Sequence, residues 1–367
     1  MKVRFLNLSV VSKKEINLHL NIYKRFLKKG VFVLGKSVED FENKIGKKVG
    51  KKYNLGCSSG TNALYLALKS LELKKKDHVL VPCLSWVSTF TAVKMAGAEP
   101  VGVDIDNDFQ IDIESLKKRI TKKTKAIIIV YFTGLYKLNK EIKKICKKRK
   151  IKIIEDCAQS FGAHDLKQNS VCGNFGDISC FSMNPMKVYG AFGDAGLTST
   201  NDPKIYSQIQ SLRYVGTKNK ELVINPNLNH KIDTLQAEVL IQNLKFLNKK
   251  IKRRIDNASY YNKHLTNKVI KPIFLKNKKH IYYTYSILVN NRNNLVKYLK
   301  KKGIETKIQH PHIISDHPGL KSSFNNNKDF PNGNIIKEKI LSIPIHEKLS
   351  KKEIIYVSDT INRFYNL

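Results

Sequence analysis

Asp156 closes the apolar run Ile153-Ile154-Glu155, and Lys187 ends the stretch Ser182-Met183-Asn184-Pro185-Met186. Neither stands out alone. An aspartate at the end of a strand is commonly a helix cap or a surface charge, and Lys187 is one of 58 lysines. What surrounds Lys187 gives it weight: Gly190, Gly193 and Gly196 follow in close succession, so the backbone there turns tightly or approaches another group closely. A lysine in an apolar, glycine-bounded site loses hydration, which favours its neutral amine. A neutral amine can form a Schiff base with a carbonyl.

A buried aspartate close by would keep a pyridine nitrogen protonated and so strengthen the ring as an electron sink, which is the chemistry of pyridoxal 5′-phosphate (PLP). A phosphate site is also available. Cys57-Ser58-Ser59-Gly60 leads into a stretch with helical spacing, Thr61 to Leu71, and a helix start reached through small residues presents free N–H groups to an anion.

The elements that must position these residues follow an alternating pattern. Short β-branched runs, His78 to Pro82, Glu99 to Val103, Ala126 to Val130 and Lys152 to Glu155, alternate with helical or loop stretches. That predicts an α/β fold with a largely parallel sheet and crossover helices. Helical spacing from Thr234 to about Lys263 carries the chain out of a large domain, residues 1–245, into a smaller C-terminal α/β domain, 246–367, with the N-terminal segment lying on the small-domain side. There a strand is expected over Tyr283 to Val289, a helix over Arg292 to Lys302 ending at Gly303, another strand over Ile304 to Ile308, and a polar loop from Ser315 to Lys337.

Several ordered motifs together resemble the DegT/DnrJ/EryC1/StrS sugar aminotransferases of PLP fold type I: Val33-Leu34-Gly35, Ser58 to Leu64, Glu155-Asp156-Cys157-Ala158-Gln159-Ser160, Gly176-Asp177 to Lys187, Gly190 to Gly196, Asn229 to Gln236 and Leu341-Ser342-Ile343-Pro344. The resemblance spans nearly the whole chain. It implies a large domain with a mostly parallel, seven-stranded sheet flanked by helices, and Lys187 as the Schiff-base lysine and proton carrier. Asp156 would partner the pyridine nitrogen, Gln159 would lie near the 3-oxygen, and Gly60, Thr61 and Ser182 would bind the phosphate. Trp86, the only tryptophan, would stack on the ring; its alternative reading is a core anchor. Asn229 would reach the phosphate of a neighbouring subunit, so a homodimer with shared sites is implied.

Four positions depart from the family pattern: Asn62 for a common Asp, Tyr214 for a frequent His, Lys231 for Arg and Ala195 for Gly. Lys for Arg is not conservative at a bidentate site. The implied reaction moves the amino group of L-glutamate to a nucleotide-linked keto-deoxysugar. Gly190-Ala191-Phe192-Gly193-Asp194 is similar to the form found in members acting at C3 rather than C4. A non-nucleotide ketone, such as an inositol derivative or a small phosphorylated ketone, is the alternative acceptor. A PLP-dependent dehydratase is disfavoured because those relatives carry His where this chain has Lys187.

The formal charge of +37 invites a nucleic-acid reading, but only nine of the 67 basic residues are arginines and the lysines are spread along the chain. Specific phosphate and base recognition favours the arginine fork, so a solvated lysine-rich surface is expected. Six cysteines without a C-x-x-C pair suggest a reducing compartment. No signal-peptide core or membrane span is evident, and a cytoplasmic protein is expected. His310, His312 and His317, with Asp316 between them, have irregular spacing for a metal; the resemblance implies instead a small-domain segment bordering the substrate cleft.

Overall fold

The computed structural model describes residues 1–322 and 324–366. Two helices, α1 (Lys13–Lys29) and α2 (Lys36–Val49), precede β1 (Tyr53–Cys57). Strands and helices then alternate: α3 (Gly60–Lys69), β2 (His78–Pro82), α4 (Val87–Met95), β3 (Glu99–Val103), α5 (Ile113–Arg119), β4 (Thr124–Val130), α6 (Lys140–Arg149) and β5 (Lys152–Asp156). Two short strands, β6 (His164–Asp165) and β7 (Ser170–Val171), precede β8 (Ile178–Ser182), β9 (Gly196–Thr200) and α7 (Pro203–Arg213). A hairpin, β10 (Thr217–Lys218) and β11 (Leu222–Val223), leads to α8 (Thr234–His264). The chain ends with β12 (Lys278–Lys279), β13 (Tyr285–Leu288), α9 (Arg292–Lys301), α10 (Pro331–Lys339), β14 (Ile340–Ile343) and α11 (Lys351–Asn366).

Seven strands form one sheet in the order β1-β9-β8-β5-β4-β2-β3. Pairing is parallel from β8 to β3, and β9 runs antiparallel to both β8 and β1. The seven-stranded, mostly parallel sheet is therefore present. Strands such as His78–Pro82 are buried along their whole length, because helices cover both faces and an apolar side chain is favoured on either side. The last residues of β5 and β8, and the first of β9, lie at one edge, with Ser182 paired to Gly196. That carboxyl edge is where ligands of open α/β sheets sit.

A separate apolar cluster joins Val3 to α9, α11 and the antiparallel pair β13–β14, through Leu295, Leu299, Ile287, Ile343 and Val357. Helix α8 serves both centres: Ala237, Leu240, Leu247 and Ile251 pack under the large sheet, while Ala258 and Tyr261 belong to the C-terminal cluster. At 31 residues it spans about 46 Å, and position 245 falls inside it.

Three details differ from the sequence expectations. Ile304 to Ile308 forms no strand; only isolated bridges occur, Val3 to Ile304 and Lys307 to Ser342, because its two ends pair with different partners and neither pairing continues into a ladder. The polar stretch from Ser315 holds 3₁₀ turns and the helix α10, which Pro331 starts at a first-turn position suited to its missing N–H. This stretch does not stay with the C-terminal cluster. Ile313, Ile314, Leu320, Phe330 and Ile336 pack onto the large-sheet core, and a Cβ on Gly102 of β3 would lie 2.5 Å from Phe330.

Candidate active site

The carboxyl edge of the sheet opens into a cleft of about 310 Å³ lined by Gly60, Thr61, Trp86, Asp156, Gln159, Ser182 and Lys187. Of the eight residues singled out from sequence, only Asn229 lies outside it. Asn229 is exposed on the strand-like segment after the hairpin, where its side chain accepts from the Lys231 N–H and its backbone bridges Tyr214.

Asp156 is 6% exposed. Its Oδ2 accepts from Thr89 Oγ1 at 3.2 Å and its Oδ1 from the Ala158 N–H at 3.1 Å; Thr89 is itself tied to Ser85. Burial pushes the Asp156 carboxyl above its ordinary range, and the Ala158 N–H, the Lys187 charge and Thr89 offset this. A buried carboxylate with capacity to spare accepts a positively charged N–H well. Gln159 Oε1 accepts from the Thr133 N–H at 2.9 Å, which orients its amide.

Lys187 is half-buried and its Nζ lies 4.6 Å above the Tyr283 ring. The expected apolar enclosure is thus supplied on one side by an aromatic face rather than on all sides. Asn184 holds the turn: its carbonyl accepts the Lys187 N–H and its amide donates to Asp194. A Cβ on Gly190 would lie 2.7 Å from the Asn184 carbonyl, which is the close approach expected of that glycine.

The phosphate side is equally tight. A Cβ on Gly60 would sit 2.5 Å from Ser182 Cβ, and one on Gly196 would sit 2.3 Å from the Ser59 carbonyl. Ser59 caps α3 by accepting the Asn62 N–H, and Asn62 in turn donates to Ser58. Thr61 meets Ser88 at 2.8 Å. Among the described residues the Gly60 and Thr61 amides have no acceptor, so the start of a ten-residue helix faces the cleft with free donors. A phosphate beside a ring whose nitrogen meets Asp156 and whose carbonyl meets Lys187 fits this set.

Trp86 is 57% exposed at the mouth of the cleft, 6.0 Å from the His310 ring. Its position excludes the core-anchor reading. Sequence reasoning missed Ser88, Tyr283, Lys307 and Gln309 as lining residues, and Thr89, which holds Asp156 from behind the cleft; no local pattern marks them. His310 was placed beside the cleft and lies in its wall, 8% exposed, at φ 55°. A non-glycine residue there is strained. Burial first, then Lys187 and Lys307, lower its proton affinity to about 3. His310 Nε2 and the neighbouring Gln309 Oε1 are both buried without partners, which leaves two polar groups ready for a ligand. Among the described residues no group of three or more metal-ligating side chains is close enough to hold an ion, and no helix is long and apolar enough to cross a membrane. All six cysteines are free and buried.

The departures from the family pattern have local roles. Lys231 Nζ lies 4.1 Å over the Tyr214 ring, a cation–π contact that an Arg–His pair would make differently.

Comparison with known proteins bears on the whole chain. It is 33% identical to dTDP-3-amino-3,6-dideoxy-α-D-galactopyranose transaminase of Aneurinibacillus thermoaerophilus, over 99% of each chain. It is 32% identical to UDP-2-acetamido-2-deoxy-3-oxo-D-glucuronate aminotransferase of Pseudomonas aeruginosa, over 90% of this chain and 91% of that one. A solved structure from Bacillus subtilis, with bound cofactor PMP, superposes with a TM-score of 0.91 at 27% identity, covering 100% of this chain and 86% of that one. The model of the DegT/DnrJ/EryC1/StrS aminotransferase family matches residues 14–362, and the chain belongs to that family.

Proposed function

We propose that this aminotransferase uses pyridoxal 5′-phosphate to move the amino group of L-glutamate to C3 of a nucleotide-linked keto-deoxysugar, a step in making amino sugars for surface glycans. The observation that carries this reading is the convergence of Lys187, Asp156, Gly60, Thr61 and Ser182 on one cleft. The names of the relatives with 3-amino and 3-oxo sugars support C3, as does the Gly190-Ala191-Phe192-Gly193-Asp194 segment.

The cofactor supplies a conjugated ring into which the electrons of the donor's Cα–H bond can flow. The chain's own residues do the rest. Lys187 Nζ would hold the cofactor and, freed once the donor's amino group takes its place there, would take the Cα proton and deliver it as acid. Asp156 would keep the ring nitrogen protonated, Gln159 would orient the ring oxygen, Trp86 would cover the ring face, and the α3 amides with Ser182 would anchor the phosphate. A second copy of the chain completes the site with Asn229, which is exposed and lies outside the cleft of its own chain. The exposed Leu222, Val223, Ile224 and Leu228 beside it suit burial in a homodimer. In this reading residues 1–245 carry the cofactor, 246–367 close over it with Lys307 to His310, and free buried thiols fit the cytoplasm.

Lys187→Ala tests the reading directly. Reduction of wild type with borohydride should fix the cofactor to Lys187, whereas the variant should lose that adduct. Its glutamate half-reaction should fall about 10²–10⁴-fold, the usual weight of a positioned acid–base group. A variant with wild-type half-reaction rate would refute the assignment.

A further inference from the structure

The lysines are spread along the sequence, but the fold gathers many of them at one edge of the large sheet. Basic residues 74–76 precede β2, basic residues 122, 123 and 125 lie at the start of β4, and basic residues 147–150 end α6 just before β5. These strands are neighbours, in the order β5-β4-β2, and run parallel to one another. Adjacent strands lie about 4.8 Å apart, so three runs remote in sequence begin side by side. His78 of β2 donates its N–H to the Lys123 carbonyl at 2.9 Å. This is the amino edge of the sheet, opposite the carboxyl edge that holds the Lys187 cleft.

All ten of these basic residues are exposed, and among the described residues none has a carboxylate within 4.0 Å. The acids nearby are already engaged: Glu99 holds Lys94 and Asp177 holds Lys152, while Asp77 accepts the Lys74 N–H and Glu72 accepts from Gln208. Cations at a helix C-terminus offset its dipole, and α5 and α6 both have basic last turns. Each helix end amounts to about half an elementary charge, so the ends of α3, α5 and α6 account for about one or two of the ten. Their acids lie at the other end, where Glu114 and Glu141, in the first turns of α5 and α6, both meet Lys117. The surplus at the amino edge repels itself within a Debye length of about 8 Å, and nothing in the chain relieves it.

Only Arg149 among the ten has the planar fork that reads phosphate and base geometry in a nucleic acid. Ammonium groups on flexible stems respond to charge density rather than to shape, and a fluid bilayer of acidic headgroups supplies charge density. Phe324, 37% exposed, packs on the His78 ring at the same edge and adds an apolar side chain of the kind that enters the headgroup boundary. We infer that the amino edge of the large sheet is a docking surface for an anionic lipid bilayer. Docked there, the protein turns its cleft away from the lipid and keeps it open to soluble substrates. The inference does not depend on which ketone is aminated.

The test uses the full-length, cofactor-loaded enzyme and co-sedimentation with vesicles. Phosphatidylcholine vesicles containing one quarter phosphatidylglycerol should carry the protein down at low ionic strength and release it as salt is raised, whereas pure phosphatidylcholine should leave it in solution. The variant Lys122→Gln, Lys123→Gln, Lys147→Gln, Lys148→Gln should lose binding roughly tenfold or more, with its glutamate half-reaction unchanged. A second variant, Lys297→Gln, Lys300→Gln, Lys301→Gln, Lys351→Gln, removes the same charge from α9 and α11 and should bind nearly as wild type does. Equal losses in the two variants would mean that the bilayer reads net charge alone, which overturns the edge assignment. Failure to sediment with the acidic vesicles overturns the inference, and so does a duplex oligonucleotide that holds the same lysines more tightly than the vesicles do.

Discussion

Glu155 and Asp156 are consecutive residues of β5, and alternation along the strand sends them to opposite faces of the sheet. Glu155 meets a closed set of donors: Tyr131 Oη at 2.8 Å, the Phe175 and Gly176 N–H groups at 3.0 and 2.8 Å, and Ser179 Oγ at 3.1 Å. Among the described residues Asp156 receives only Thr89 and the Ala158 N–H. Burial raises the proton affinity of both, so depth does not separate them. The difference lies in what faces each one. A carboxylate whose acceptor sites are filled by its own chain ties loops together, whereas one with spare capacity beside a cavity is available to a ligand. The same contrast divides two buried histidines. His280 accepts the Tyr282 N–H and approaches Thr133, while His310 Nε2 has no partner.

The sharpest way to break this comparison is to neutralise each carboxylate in turn. Asp156→Asn should reduce turnover on the order of 10²–10³-fold, as losing one preorganised charge does, with little change in melting temperature. Glu155→Gln turns amide hydrogens towards donors and should cost about 1–3 kcal/mol of stability, measured by urea unfolding, with turnover per folded molecule nearly retained. If the two variants exchange these phenotypes, the distinction between closed and open sites is wrong.

A smaller effect should come from the phosphate cradle. Gly60→Ala places a methyl 2.5 Å from Ser182 Cβ, which should cost about 1–3 kcal/mol through overpacking and weaken cofactor retention in dialysis. Unchanged retention would mean that the close approach of α3 to Ser182 has no part in holding the phosphate.

The finest probe is pH dependence. Burial lowers the proton affinity of His280 from the ordinary 6.5 to about 3. The folded state therefore resists a proton that the unfolded state accepts. The stability His280 contributes is present above pH 6.5 and is lost as pH falls from there towards 3, by at most about 1.4 kcal/mol per pH unit. His280→Asn should flatten that part of the stability curve. A variant as acid-sensitive as wild type would show that His280 is protonated freely in the folded state.

Local order along the chain was legible from sequence because it rests on nearest-neighbour physics. The runs around Val79, Val101, Ile128 and Ile153 are apolar on both faces, which only a covered parallel strand tolerates, and the helical spacing around Ala63 and Leu240 marks helices to be buried. Lys187 and the Ser59-Gly60 turn were singled out because glycines and a helix start leave a local signature, and Asp156 through the family resemblance. Ile304 to Ile308 was misjudged because whether an extended segment becomes a strand depends on its partners, here Val3 and Ser342, which are remote in sequence. Thr89, Tyr283 and Gln309 left no local trace, since Thr89 reaches Asp156, and the other two reach the cleft, from segments remote in sequence. Sequence alone determined the chemistry, because reactive groups and tight turns are residue identities. Only the tertiary structure decided which polar groups stay unpaired, because satisfaction of a buried donor or acceptor depends on every element packed around it.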